Sequence, residues 1–101
     1  MQTVTAANFE QEVKNSSVPV MVDFWATWCG PCRAIKPVLE NISAEANGKY
    51  KVVGVDVDEC QDLAAEYSVF SIPSVLIFKN GVVAERFVGV QPKDKLLEAV
   101  K

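Results

Sequence analysis

Between Val18 and Ala26 the chain is apolar on both alternating sets of positions: Val18, Val20, Val22 and Phe24 on one, Met21 and Trp25 on the other. Such a run suits a strand covered on both faces, as in the middle of a parallel sheet layered by helices. One charge, Asp23, interrupts it. A carboxylate buried there costs several kcal/mol unless it is paired or protonated.

The neighbouring segments supply those layers. Thr5 suits the cap of a helix over about 6–15, with Phe9 and Val13 on one face. Pro31 to Ala46 carries the helical stripe Ile35, Val38, Leu39, Ile42 and Ala46. Pro31 belongs in its first turn, Pro37 should kink it, and Asn47-Gly48 should stop it. Tyr50 to Val57 is a valine-rich strand and Cys60 to Tyr67 a short helix. Ser74–Phe78 and Val82–Val88 read as strands joined by Lys79-Asn80-Gly81, a hairpin signal. Pro92 to Val100 closes as a helix with Leu96, Leu97 and Val100 inward. With a short possible strand at Gln2–Val4, the order is βαβαβαββα. It predicts an α/β fold with a mixed central sheet.

The length of 101 residues suits a single domain over 1–101, and a 50% hydrophobic, 23% charged composition excludes a disordered chain. No segment reads as a signal peptide or is long enough to span a bilayer, so no membrane role is expected. The net charge is −3 without a basic cluster, which argues against nucleic acid as a partner. The chain has no histidine, which removes Ser–His and Cys–His nucleophile pairs and histidine-ligated metals. Three cysteines cannot pair off completely, and cannot supply four thiolates to a metal or cluster. No metal is expected.

Trp28-Cys29-Gly30-Pro31-Cys32 lies where the most buried strand ends and a helix begins. As half a zinc site, the two cysteines would lack ligands. As a haem attachment they would need a histidine where Arg33 stands. As a redox dithiol they need only each other. Residues i and i+3 in a first helical turn share a face, at a separation a disulfide tolerates. Cys29, at the helix N-terminus, is favoured as a thiolate and should attack. Cys32, one turn in, should be the more buried and should resolve the mixed disulfide.

These residues resemble the thioredoxin family. The match includes Asp23-Phe24-Trp25-Ala26 before the cysteines, Pro37, Ile72-Pro73, Phe78-Lys79-Asn80-Gly81 and Val88-Gly89, in the family's order over nearly the whole chain. The resemblance implies the thioredoxin fold, a central sheet flanked by four helices. It implies protein-disulfide reduction by dithiol–disulfide exchange, with re-reduction by a thioredoxin reductase. It implies no bound cofactor beyond the Cys29–Cys32 disulfide. It also assigns Asp23 as the base that takes the Cys32 proton. Otherwise Asp23 would be a structural aspartate satisfied by hydrogen bonds. A cis bond is implied at Ile72-Pro73, with backbone able to pair with an extended substrate.

The sequence departs from the bacterial pattern at Gly54, where a lysine is common, and at Ser71, where glycine is. Without a cation at Gly54, the Asp23 carboxyl should be more strongly raised. Trp28, Gly30, Pro31, Ile72, Pro73, Val88 and Gly89 are expected to form an apolar landing surface for diverse disulfide-containing proteins. Cys60 reads as a small, half-buried residue rather than a regulatory thiol. Two glycosylation sequons, at Asn15 and Asn41, read as chance matches. A cytoplasmic monomer is expected. The alternatives are a disulfide oxidase or isomerase, and a thioredoxin-fold binding module with an idle dithiol.

Overall fold

A computed structural model describes residues 1–101. In chain order it contains β1 (Gln2–Thr3), a π-helical segment (Glu10–Lys14), β2 (Val20–Trp25) and α1 (Gly30–Ala44). These are followed by β3 (Lys51–Asp56), α2 (Gln61–Glu66), β4 (Ser74–Lys79), β5 (Val82–Val88) and α3 (Lys93–Val100). The strands form one five-stranded sheet in the order β1-β3-β2-β4-β5. β1, β3 and β2 are parallel, whereas β4 and β5 run antiparallel to their neighbours. The expected α/β architecture with a mixed sheet and four helices is therefore present.

Strand alternation divides the core in two. Val20, Val22 and Phe24 of β2 face one way with Val53, Val55, Leu76 and Phe78, beneath Phe9, Val13 and Leu63. Met21 faces the other way with Val52, Val75 and Ile77, beneath Ile35, Leu39 and Ile42 of α1 and Leu96 and Val100 of α3. Truncating a fully buried member such as Leu39 to alanine would cost roughly 2–5 kcal/mol. Asp23 shares the face of Met21, so the fold carries its carboxyl to the side covered by α1.

The first helix differs from the expectation. Asn15 donates its N–H to the Glu10 carbonyl, an i→i−5 bond that makes the segment π-helical rather than α-helical. Thr5 does not cap it: Thr5 Oγ1 accepts the N–H of Ala7 and closes a turn ahead of the helix. By contrast, α1 runs on through Pro37 and stops before Asn47 and Gly48, whose φ values are +48° and +76°. The β4–β5 turn uses Asn80 and Gly81 at φ +55° and +82°, the left-handed pair of a type I′ hairpin. A Cβ on Gly81 would also sit 2.8 Å from the Lys14 carbonyl oxygen, so glycine is required twice over. No helix is long and apolar enough to cross a membrane.

Candidate active site

β2 delivers the chain to Cys29, which caps α1. Cys29 is extended (φ −89°, ψ 111°), and its Sγ accepts the Cys32 N–H at 3.2 Å. That bond satisfies one of the orphan donors of the helix N-terminus with sulfur, an arrangement that favours negative charge on Cys29 when reduced. Pro31 stands among the first helical residues, where its missing N–H leaves nothing unpaired. The Cα atoms of Cys29 and Cys32 are 5.3 Å apart and their sulfurs are joined in a disulfide. The i, i+3 spacing thus produces the geometry expected of a redox pair.

The two cysteines and Ala26 form a small apolar cluster, closed by Trp25, Val57 and Ile72. The expected difference in burial is absent: Cys29 is 4% exposed and Cys32 5%. Ile72 is folded over the pair, with its carbonyl oxygen 3.8 Å from Cys29 Sγ, so the first cysteine is as enclosed as the second. Their asymmetry lies in what each faces. Cys29 meets the Ile72-Pro73 loop, and Cys32 lines a cavity behind the disulfide.

The Ile72-Pro73 bond is cis. Gly89 donates its N–H to the Pro73 carbonyl at 2.8 Å, and Ser74 pairs with Val88, so the end of β5 is tied to the loop whose Ile72 reaches Cys29. The N–H groups of Phe70, Ser71 and Ile72 donate to no group of the chain, leaving three backbone donors free beside the cysteines. Trp28 is 67% exposed, and its indole N–H donates to the Asp58 carboxylate at 2.9 Å. A Cβ on Gly30 would meet nothing within 4 Å, so the surface next to Cys29 is open.

Asp23 is 3% exposed, and its Oδ1 has no hydrogen-bond partner. Burial alone pushes its carboxyl up to about 7. It opens onto a cavity of about 300 Å³ that also touches Cys32, Trp25, Gly54, Arg33 and Lys36. Gly54 is the register neighbour of Asp23 on β3 and places no side chain there. The expected raised carboxyl is therefore present, with desolvation as its cause.

Cys60 is buried more fully than expected, among Leu63, Phe24 and Val55, and is not part of the disulfide. No three side chains of a metal-ligating type converge. The sequence reading did not single out Phe70 or Asp58. Phe70 follows α2 in a stretch with no helix or strand of its own to bury it, which was the available signal. The pairing of Trp28 with Asp58 joins residues 30 apart in sequence and had no local signal.

The comparisons with known proteins agree with this geometry. The thioredoxin family model matches residues 1–101. The chain is similar to thioredoxin C-2 of Corynebacterium nephridii, 50% identical over 92 residues, covering 91% of this chain and 85% of the relative. It is similar to thioredoxin 1 of Nostoc sp., 47% identical over 98 residues (97% and 92%). It is likewise similar to thioredoxin of Staphylococcus aureus, 46% identical over 97 residues (96% and 91%). A match along its whole length, with the disulfide where the motif requires it, means that the chain belongs to the thioredoxin family.

Proposed function

We propose that this chain, acting as one domain over 1–101, is a general protein-disulfide reductase. Cys29 attacks, Cys32 resolves and Asp23 moves the proton. The observation that carries the reading is the Cys29–Cys32 disulfide at the N-terminus of α1, with an unpartnered carboxyl in the cavity behind Cys32.

The reduced chain starts with two thiols, and Cys29 releases its proton to solvent to become the thiolate. The Cys29 thiolate attacks one sulfur of a substrate disulfide, forming a mixed disulfide and expelling the other substrate sulfur as a thiolate, which takes up a proton. Cys32 then gives its proton to the Asp23 carboxylate, directly or through water in the cavity, and attacks Cys29 Sγ. The Cys29–Cys32 bond forms, the mixed disulfide breaks, and the second substrate thiolate is protonated. Two electrons and two protons pass from the dithiol to the substrate. A carboxyl titrating near 7 suits this exchange, because it both accepts and returns a proton at neutral pH.

The landing surface is built from Trp28, Gly30, Pro31, Ile72, Pro73, Val88 and Gly89. The free N–H groups at Phe70, Ser71 and Ile72 support strand-like pairing with an extended substrate. A few backbone bonds on a mostly apolar surface fit many partners. The electron donor is a thioredoxin reductase, no bound cofactor takes part, and the chain works as a cytoplasmic monomer, where thiols are kept reduced.

The test is an equilibrium titration of the dithiol in dithiothreitol buffers at pH 7, followed by tryptophan fluorescence and by alkylation with mass analysis. A midpoint near −270 mV, the value known for thioredoxins rather than one obtained from this geometry, supports the reductase. A midpoint above about −200 mV instead supports an oxidase or isomerase. A Cys29→Ser, Cys32→Ser chain that kept full cellular function would identify a binding module.

A further inference from the structure

Phe70 is 88% exposed, more than any other large apolar residue of the chain. It lies two residues before Ile72, whose carbonyl contacts Cys29, so its Cα is within about 7.6 Å of the Ile72 Cα. Its platform is firmly held. Arg86 of β5 donates to the Tyr67 carbonyl at 2.6 Å and to the Ser68 carbonyl at 3.4 Å. Tyr67 itself stacks against Phe9 and Phe78, with ring centroids 5.5 and 5.2 Å away. Ser74 Oγ donates to the Ser71 carbonyl at 2.5 Å on the other side of Phe70. An aromatic ring is thus presented to solvent from a segment tied down at both ends, next to the redox pair.

Fixing the backbone in advance lowers the ordering cost when a partner covers the ring, which then comes from the side-chain rotamers alone. Phe70 belongs to the same loop as Ile72, which packs against the disulfide cluster. We propose that Phe70 is a specificity-determining residue. It selects, among disulfide-containing proteins, segments with an apolar side chain flanking the target cysteine. The inference rests on the reductase reading and names the substrate class of the same site.

A substrate segment suits the patch better than a second copy of the chain. Phe70, Trp28, Val88 and Val90 together expose roughly 500 Å², given the 150–250 Å² that an aromatic side chain carries. A stable interface needs about 800 Å² from each partner. An extended peptide is held instead by the free N–H groups at Phe70, Ser71 and Ile72 and by the transient covalent bond to Cys29.

The experiment uses the full chain with two short peptides, each as its symmetric disulfide dimer. The peptides differ only in the residue before the cysteine, leucine or serine. Cystamine serves as a disulfide with no flanking side chain. The wild type is expected to reduce the leucine dimer with a KM about tenfold below that of the serine dimer. Phe70→Ser should remove this preference by raising the KM of the leucine dimer about tenfold, to that of the serine dimer. Phe70→Leu should restore most of it. Equal KM values in the wild type, or a preference that survives Phe70→Ser, overturns the proposal. Concentration-dependent dimerisation in light scattering that Phe70→Ser abolishes would also overturn it, in favour of a self-contact. Failure of the wild type to reduce even cystamine would instead overturn the reductase reading itself.

Discussion

Asp23 of β2 and Gly54 of β3 are direct register partners in the parallel pairing, and both line the cavity that reaches Cys32. The strand next to the buried carboxyl therefore offers it neither a charge nor a hydrogen bond. Trp25 occupies the space instead: a Cβ on Gly54 would sit 3.1 Å from its indole nitrogen. Desolvation acts on Asp23 unopposed.

That isolation makes stability depend on pH. The Asp23 carboxyl is raised from 3.8 to about 7 by burial. Between these values the unfolded chain ionises while the folded chain keeps its proton, so stability falls as pH rises from 4 to 7 and then levels off. The full difference is of the order of 4 kcal/mol. Asp23→Asn, neutral at all pH, should stabilise the oxidised protein by about 2–4 kcal/mol at pH 8 and by almost nothing near pH 4. Urea unfolding across that range measures it, and a pH-independent difference would contradict a buried, neutral carboxyl.

A cation at position 54 should reverse the effect on the carboxyl. Gly54→Lys places an ammonium in the cavity and should lower the Asp23 pKa by roughly 1–3, with Trp25 shifting to make room. Gly54→Ala fills part of the same space without charge and should leave the carboxyl high. NMR titration of the Asp23 carboxyl carbon distinguishes the two, and equal values in both variants would refute the electrostatic account.

The two cysteines should fail differently. Cys29→Ser should abolish reduction of protein disulfides. Cys32→Ser should stop after the first exchange and accumulate a mixed disulfide at Cys29, visible as an adduct mass. Recovery of that adduct at Cys32 in Cys29→Ser would invert the assigned roles.

Cys60 should be silent in the native state. It packs in the core with Phe24, Val55 and Leu63 and its sulfur accepts no helix N–H, whereas Cys29 Sγ accepts the Cys32 N–H at the start of α1, which favours the reactive thiolate there. In the reduced protein, iodoacetamide should modify Cys29 at least ~100-fold faster than Cys60. Comparable rates would contradict a thiolate favoured at Cys29.

Several features followed from local rules. The strand Val20–Trp25 was legible because both alternating sets are apolar, and its interruption marked Asp23 as buried. The hairpin was legible because Asn80-Gly81 supplies two left-handed residues. The kind of the first helix was not legible, since a π-helix closes i→i−5 bonds while leaving Phe9 and Val13 buried as an α-helix would. Equal burial of the cysteines escaped the sequence because it is set by Ile72, 43 residues from Cys29.

By itself the sequence determined the order of elements, the sheet's central strand and the dithiol at a helix start. Each of these rests on a period, a turn or a spacing that neighbouring residues impose on one another. Tertiary structure alone decided that Asp23 lacks a partner, that Trp28 leans on Asp58 and that Phe70 stands exposed on a fastened turn. These depend on which distant strands and loops meet. Burial and hydrogen-bond satisfaction are properties of the packed chain, set by whatever the fold brings within a few ångströms.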